Sequence, residues 1–217
     1  MSSSSDKIYS IIKERILTNY YLPNEYLIES AIAKEFNVSR STVKKAMIKL
    51  ESDYLVEIEA NKSTMVKSIT KEEVLHLLEI RERIEGLIAY KVAEIKDIAS
   101  NDDMKKILLE LEKMKKYLDE ENFIEHSKAN DNIHRILYAL CPNREVVTLI
   151  EQINLQLRKY NKRTILITDR QKRSYVEHKN IIDAIIEGNK EAAEIAMRNH
   201  IGNIRKTIEQ NYEFLFM

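Results

Sequence analysis

The chain has 217 residues, and its 35 basic and 35 acidic side chains give a formal net charge of zero. This length suits two small domains or one large domain. The balanced charge excludes a protein that coats nucleic acid by bulk charge, although local basic clusters still permit DNA binding.

The composition and the N-terminal residues further restrict the class of protein to which this chain can belong. Only 3 Gly and 2 Pro are present, which argues against a turn-rich β architecture. No run of about 18 apolar residues exists, so no membrane span is expected. Residues 2–5 form a serine-rich tail, predicted disordered, rather than a signal peptide. The single cysteine, Cys141, cannot form an internal disulfide, and we therefore expect a cytoplasmic protein.

A helix–turn–helix is predicted near the N-terminus. An amphipathic helix over residues 6–18 is followed by a loop over 20–25 and a short helix over 27–36. A tight corner at Asn37 and Val38 separates this helix from the next one. Two short helices joined by such a corner are typical of modules that enter the major groove of DNA.

The second helix of this module, over residues 39–50, carries a basic face. Ser39 is a good N-cap, because its hydroxyl can accept from the amides of the first turn. Helical spacing predicts one buried stripe, formed by Val43, Met47 and Leu50. The remaining face carries Arg40, Ser41, Lys44, Lys45 and Lys49. A solvated charged face is the alternative interpretation of these lysines, and it applies most readily to Lys49.

Two β-favouring runs follow, over residues 55–58 and 64–66, and predict a two-stranded wing. The wing tip contains Asn61 and Lys62, which we expect near a phosphate or the minor groove. Asn61 tolerates the left-handed conformation that such a tip often needs. Residues 1–69 are therefore predicted to be a winged helix–turn–helix domain.

The remainder of the chain, residues 70–217, has a helical pattern throughout. Thr70 and Glu73 form a capping box that predicts a helix start. Helices are predicted near residues 71–98, 102–120, 122–140, 144–161, 170–187 and 190–212. The fold class is accordingly mainly α, with an antiparallel all-helical bundle of about six helices behind the winged domain.

Motifs along most of the chain carry a family resemblance. In the N-terminal half they are Leu27-x-Glu29-x-x-Ile32-Ala33, Val38-Ser39-Arg40-x-x-Val43-Lys44-Lys45-Ala46, Leu50-Glu51 and Leu55-Val56. In the C-terminal half they are Arg81-x-x-x-Glu85, Asn130-x-x-Ile133-His134, Ser174-x-x-Glu177-His178-x-x-Ile181, Gly188-Asn189 and Ala196-Met197-x-x-His200-Ile201. With these motifs the chain resembles the GntR family of bacterial transcription regulators, in the subgroup with an all-helical FCD effector domain.

Some positions depart from the family pattern. The family usually has Gly where this chain has Asn19 and Asn24, and often Gly where it has Tyr54. It often has Pro at the position of Thr42 and usually Arg at that of Lys44. Because a lysine cannot read guanine bidentately as an arginine does, the operator is expected to differ from those of relatives.

The resemblance implies a set of DNA-contacting residues and a partner. The implied contacts are Arg40, Ser41, Lys44 and Lys45 on the recognition helix, Ser30 on the preceding helix, and Asn61 and Lys62 on the wing. Because one recognition helix reads too few bases for useful selectivity, we expect a homodimer that reads an inverted repeat in double-stranded DNA. Members of the family act most often as repressors.

Three histidines in the helical half lie on predicted buried stripes: His134, His178 and His200. They are either satisfied core histidines or metal ligands, because neutral imidazole is the commonest protein ligand for zinc-like ions. His76 and His126 are predicted to lie on the surface. The resemblance implies a divalent metal site (Zn, Ni or Mn) formed by the three histidines and Asn130. The family usually has Asp at the position of Asn130, so weaker binding is expected.

Arg81 interrupts the buried stripe of the first bundle helix and needs a partner. One alternative is an ion pair with Glu85 four residues later. The other, which the resemblance favours, is a bidentate bond to a small organic acid effector. Ser174 is then the expected hydroxyl partner of this acid, and Asn154 and Arg158 are expected to line the cavity.

The sequence as a whole predicts a ligand-responsive, sequence-specific DNA-binding transcription regulator and not an enzyme. Two alternatives remain at this point. One is a helical-bundle metalloenzyme with an open metal position. The other is a DNA-bound dimer without an effector, in which the three histidines only fill the core.

Overall fold

The computed structural model describes residues 3–59, 64–164, 167 and 169–216. The chain divides into two compact units, Met1–Thr70 and Lys71–Met217. No helix in the described ranges is long and apolar enough to cross a membrane.

The N-terminal unit is a helix–turn–helix with a small sheet, as predicted. Its elements are α1 (Ser4–Leu17), β1 (Tyr26–Leu27), α2 (Glu29–Glu35), α3 (Arg40–Ser52), β2 (Val56–Ile58) and β3 (Thr64–Val66). The strand β3 lies in the middle of the sheet and pairs antiparallel with both β1 and β2. Apolar side chains of all three helices fill the core, among them Ile12, Ile32, Val43, Met47 and Leu50.

Two sequence predictions in this unit were wrong at element boundaries. The short helix begins at Glu29 and not at Leu27, because β1 pairs with β3 and holds the Leu27 side chain at only 2% exposure. The serine-rich segment expected to be disordered enters α1 from Ser4. Ser3 and Asp6 form a capping box there, which satisfies amides of the first turn.

The three residues that replace family glycines all have left-handed backbones. The φ angles are 58° at Asn19, 65° at Asn24 and 58° at Tyr54. Asparagine tolerates this region, whereas a bulky residue with a β-carbon is strained in it. The side chain of Tyr54 is 53% exposed, and its ring lies 5.4 Å from Nζ of Lys67.

We expect Tyr54→Gly to raise the free energy of unfolding. The left-handed conformation costs a residue with a β-carbon about 1–2 kcal/mol. Glycine loses more backbone entropy on folding, which offsets about 0.5–1 kcal/mol of the relieved strain. The free energy of unfolding is therefore expected to rise by about 0.5–1 kcal/mol. Urea unfolding monitors the change, and Asn24→Gly is the matched control, with a smaller expected gain. A loss of stability in the Tyr54→Gly protein would show that its ring contacts outweigh the strain.

The second unit is helical throughout its described residues. Its elements are α4 (Lys71–Ala93), a 3₁₀ turn (Ile98–Ser100), α5 (Asp102–Asp119), α6 (Phe123–Leu140), α7 (Arg144–Arg163), α8 (Arg170–Ile186), α9 (Lys190–Gln210) and α10 (Tyr212–Phe216). The first helix was predicted to continue to residue 98 but ends at Ala93. The chain then passes through Asp97, whose φ of 55° is left-handed and incompatible with a continuous helix.

One continuous core joins the helices of this unit. Helix α4 packs along α9, α5 packs on α6, and α8 packs on α9. The largest fully buried side chains in this core include Ile88, Met104, Ile107, Met114, Ile133 and Leu137. A tight turn between α8 and α9 uses Gly188 at a φ of 67°. This packing brings the inner faces of α6, α8 and α9 together.

Candidate functional site

The exposed face of α3 carries the predicted DNA-contacting side chains. Ser39 caps the helix by accepting from the Thr42 amide at 3.2 Å, which fixes the first turn. Arg40, Lys44 and Lys45 are exposed, and within the described ranges none of them has a carboxylate partner. These cations therefore lie on one solvated surface without neutralising contacts.

The remaining predicted DNA contacts have mixed outcomes. Ser41 is exposed, with its hydroxyl 2.8 Å from that of Ser39, and Ser30 is exposed on α2. Asn61 and Lys62 lie outside the described residues. Lys49 forms an ion pair with Asp6 of α1, so the alternative reading of this lysine, as part of a charged face without a DNA contact, fits the structure.

Three imidazoles converge inside the helical unit, as their spacing predicted. His134 of α6, His178 of α8 and His200 of α9 each offer a ring nitrogen, and these atoms lie within 4.8 Å of one another. Their exposures are 5%, 0% and 1%, so water is largely excluded. We refer to these three residues as the histidine cluster.

The Nδ1 atom of each imidazole contacts an oxygen atom of a residue outside the histidine cluster. His134 Nδ1 lies 2.6 Å from Glu85 Oε2, and His200 Nδ1 donates to Glu177 Oε2 at 2.7 Å. His178 Nδ1 donates to the Ser174 carbonyl at 2.7 Å. Such outer contacts fix the tautomer and direct the other ring nitrogen inward, as is usual for histidines that bind metal ions.

The Nε2 atoms consequently meet at the centre of the cluster. His134 Nε2 and His178 Nε2 are 3.2 Å apart. His200 Nε2 is buried and has no hydrogen-bond partner within the described part of the chain. With Nδ1 protonated, each Nε2 presents a lone pair, and a group of buried lone pairs is stabilised by a cation. The residues present therefore fit a divalent metal ion.

The charge state of the cluster agrees with this arrangement. Burial lowers the pKa of His178 to about 3, with a further contribution from His134. Burial also lowers the pKa of His200 well below its ordinary value. Burial opposes ionisation of Glu85, but Arg81 and His134 hold its pKa below the usual range. Neutral imidazoles at His178 and His200, together with an ionised carboxylate at Glu85, suit the binding of a metal ion.

Two Arg–Glu–His triads flank the cluster, one with a fully buried carboxylate (Glu85) and one with a partly buried carboxylate (Glu177). Arg81 Nε lies 2.5 Å from Glu85 Oε1, whose other oxygen faces His134. In the second triad, Arg170 Nη2 lies 2.9 Å from Glu177 Oε2, which accepts from His200. The ion-pair alternative for Arg81 is therefore realised, and its binding to an effector stays a prediction.

Glu85, Glu177 and Arg170 were not predicted as site residues. Glu85 was recognised only as an ion-pair partner, and Glu177 only as a neighbour of His178 in a motif. Their roles depend on contacts between helices: Glu177 of α8 reaches both His200 and Asn203 of α9. The sequence shows Glu85 four residues after Arg81 and Glu177 next to His178, but it does not identify the imidazole on another helix that each carboxylate contacts.

The other predicted site residues of the helical unit are Asn130, Asn154 and Arg158. Asn130 is half-buried, and its Oδ1 accepts from Ser174 Oγ at 3.4 Å, which connects it to the turn that holds His178. Asn154 donates to the hydroxyl of Tyr138 at 3.0 Å. Arg158 is exposed on α7.

The surface prediction for His126 was wrong. His76 is exposed on α4, but His126 of α6 is 3% exposed, and burial lowers its pKa to about 4. Its position explains the burial, because it lies four residues before Asn130 and eight before His134 on the same face of α6.

Comparisons with known proteins match both units. Residues 76–203 match the FCD domain, and residues 4–66 match the bacterial regulatory proteins of the gntR family. The chain is 27% identical over 211 residues to the uncharacterized HTH-type transcriptional regulator YdhC of Bacillus subtilis, covering 95% of this chain and 93% of that one. It is 23% identical over 212 residues to the HTH-type transcriptional repressor RspR of Escherichia coli, with coverages of 95% and 89%.

A solved structure supports the same fold. The E. coli protein McbR/YncC superposes with a TM-score of 0.70 at 16% identity. The superposition covers 100% of this chain and 98% of that protein. At this level of identity the likeness establishes the architecture only.

Proposed function

This chain belongs to the GntR family of bacterial transcription regulators and carries an FCD domain, and from this membership we propose a ligand-responsive repressor. In this proposal a cytoplasmic homodimer binds an inverted repeat in operator DNA. A small organic acid, bound at a divalent metal ion in the histidine cluster, alters that binding. The convergence of three Nε2 atoms in a chain with a helix–turn–helix is the observation that carries the proposal.

The exposed basic face of α3 supports the DNA-reading part. Arg40 and Lys44 are one helical turn apart and lie within its first turns, the part that reaches base edges in helix–turn–helix complexes. Ser41 and Lys45 follow on the same exposed surface. One such helix reads few bases, so two copies related by symmetry are proposed to read an inverted repeat. Repression is the role that the name of the relative RspR states.

The buried histidine cluster supports the metal part. His134, His178 and His200 would hold the ion, with Asn130 as a fourth, neutral oxygen ligand. When bound, the ion supplies a Lewis-acidic anchor for a carboxylate in a water-poor interior. The surrounding side chains orient the imidazoles, since Glu85 and Glu177 fix two of the three rings.

Effector recognition is proposed to draw on the groups around the cluster. Arg81, Ser174, Asn154 and Arg158 are the proposed effector-binding residues. Ser174 is the best placed, because its hydroxyl lies 3.4 Å from both Asn130 Oδ1 and His178 Nδ1. Glu85 and Glu177 are engaged with guanidinium and imidazole groups, so neither is placed as a general base. This favours a binding site over the metalloenzyme alternative.

A thermal-shift screen tests the metal-and-effector part. We expect Zn²⁺, Ni²⁺ or Mn²⁺ to bind with one ion per chain and to raise the melting temperature. At a metal concentration of about 100 times Kd, the stabilisation amounts to about 2.7 kcal/mol. Small carboxylates are then expected to add a further shift only in the presence of the ion. Equal carboxylate shifts with and without metal would contradict the proposed anchor.

A further inference from the structure

Helices α6 and α8 carry two matching polar ladders. On α6 the ladder consists of His126, Asn130 and His134, and on α8 of Arg170, Ser174 and His178. Within each ladder the residues are four apart, so they share one helix face. Every facing pair is separated by the same 44 positions in sequence, which means that the two helices run in the same direction.

The first two pairs of the ladders are in contact. His134 Nε2 and His178 Nε2 are 3.2 Å apart in the histidine cluster. One turn towards the N-terminal ends, Ser174 Oγ donates to Asn130 Oδ1 at 3.4 Å. The polar surface thus extends from the cluster along the line between the two helices.

The third pair ends in unsatisfied nitrogen atoms. His126 is 3% exposed and Arg170 is 4% exposed. His126 Nε2 and Arg170 Nη1 are both buried without a hydrogen-bond partner among the described residues. Arg170 is close enough to His126 to contribute to the lowering of its pKa, after burial itself. Buried polar atoms without partners are rare, and they indicate a missing ligand or solvent partner.

The chemistry of these two atoms selects an anion. Arg170 Nη2 contacts Glu177 Oε2. Nη1 of the same guanidinium group can therefore donate to a second acceptor. The His126 imidazole is neutral, because burial lowers its pKa to about 4, and a neutral ring can donate one N–H. Two buried donors without acceptors, one of them on a guanidinium group, suit a carboxylate better than a neutral group.

We propose that His126 and Arg170 form a second anion subsite, which makes the effector a dicarboxylate. One carboxylate would bind at the histidine cluster, and the other between His126 and Arg170. This proposal rests on the proposed function for its first carboxylate only. Eight residues of helix separate the first and third pairs, about 12 Å along the axis, and the long arginine side chain shortens that span. We therefore expect the effector to be a dicarboxylate of about four to six carbons.

Calorimetry of the zinc-loaded chain tests the subsite. The probes are succinate, glutarate and adipate, with butyrate and valerate as monocarboxylates of similar length. His126→Phe keeps a planar ring but removes the donor. We expect its affinity for the best dicarboxylate to fall about tenfold or more, with its affinity for monocarboxylates and its zinc content unchanged. His76→Phe on the exposed face of α4 is the matched control, for which no change is expected.

A second variant tests the subsite independently, in case His126→Phe does not fold. Arg170→Lys keeps the charge beside Glu177 but loses the planar fork, and we expect it to lower the ratio of dicarboxylate to monocarboxylate affinity, a ratio that a general weakening of the metal site would leave unchanged. The subsite is overturned if both variants fold, retain zinc and keep the preference of the wild-type chain for dicarboxylates. It is equally overturned if the wild-type chain binds monocarboxylates as tightly as dicarboxylates.

The metal-free chain separates this proposal from the proposed function. If the chain binds no metal, the proposed function fails. Stabilisation of that metal-free chain by glutarate, lost in His126→Phe, would still establish the subsite. Conversely, if zinc and butyrate bind as proposed and His126→Phe leaves glutarate binding unchanged, only the subsite fails.

Discussion

The double variant Arg40→Glu, Lys44→Glu is expected to lose sequence-selective DNA binding almost completely. Both side chains lie on the exposed face of α3 and have no carboxylate partner in the described ranges. Each lost base or phosphate contact costs about 1–3 kcal/mol, and each new carboxylate repels the phosphates. We therefore expect operator affinity to fall by about a thousandfold or more.

This prediction is measured by fluorescence anisotropy on the duplex that the wild-type chain selects from a randomised library. The matched control is Lys96→Glu, Lys206→Glu, which makes the same charge change on exposed positions of the helical unit. It should retain most of the affinity. If control and test variants lose affinity equally, the effect is one of total charge, and α3 is not the reading element.

The second large effect is expected at the histidine cluster. Replacing His178 with Gln removes a fully buried imidazole whose Nε2 faces that of His134. Loss of an orienting partner alone typically costs 10–100-fold in metal affinity, so loss of a ligand should exceed about a hundredfold. Bound metal after dialysis should fall from one ion per chain to nearly none, and stabilisation by metal should disappear.

Metal content is measured by mass spectrometry of the dialysed protein, together with circular dichroism to confirm the fold. His76→Gln, on the exposed face of α4, is the control and should bind metal like the unmodified chain. Full metal content in the His178→Gln chain would show that the three imidazoles are satisfied core histidines. That outcome would leave DNA binding by α3 untouched.

Local patterns were sufficient to predict much of the fold. The Ser39 cap, the buried stripe of α3 and the β-favouring runs of β2 and β3 are all set by residues within a few positions of one another. The histidine convergence was predicted for the same reason. Each imidazole shares a helical stripe with apolar neighbours, and buried stripes must face a common core.

Features that depend on distant partners were not predictable in this way. Strand β1 exists because β3, almost 40 residues later, supplies its hydrogen bonds, whereas the local sequence around Leu27 has a helical pattern. His126 is buried, which no local pattern on α6 indicates. Glu85 and Glu177 likewise acquired their roles from imidazoles on other helices.

Operator binding measured against effector concentration tests the central claim most directly, namely that the helical unit controls DNA binding by α3. The zinc-loaded chain is titrated onto its selected duplex with and without the dicarboxylate that binds most tightly in calorimetry. We predict a change in affinity of about 5–150-fold, the range typical of allosteric coupling. The change should be absent in His178→Gln. An unchanged operator affinity while calorimetry shows the ligand bound at saturation would contradict the account.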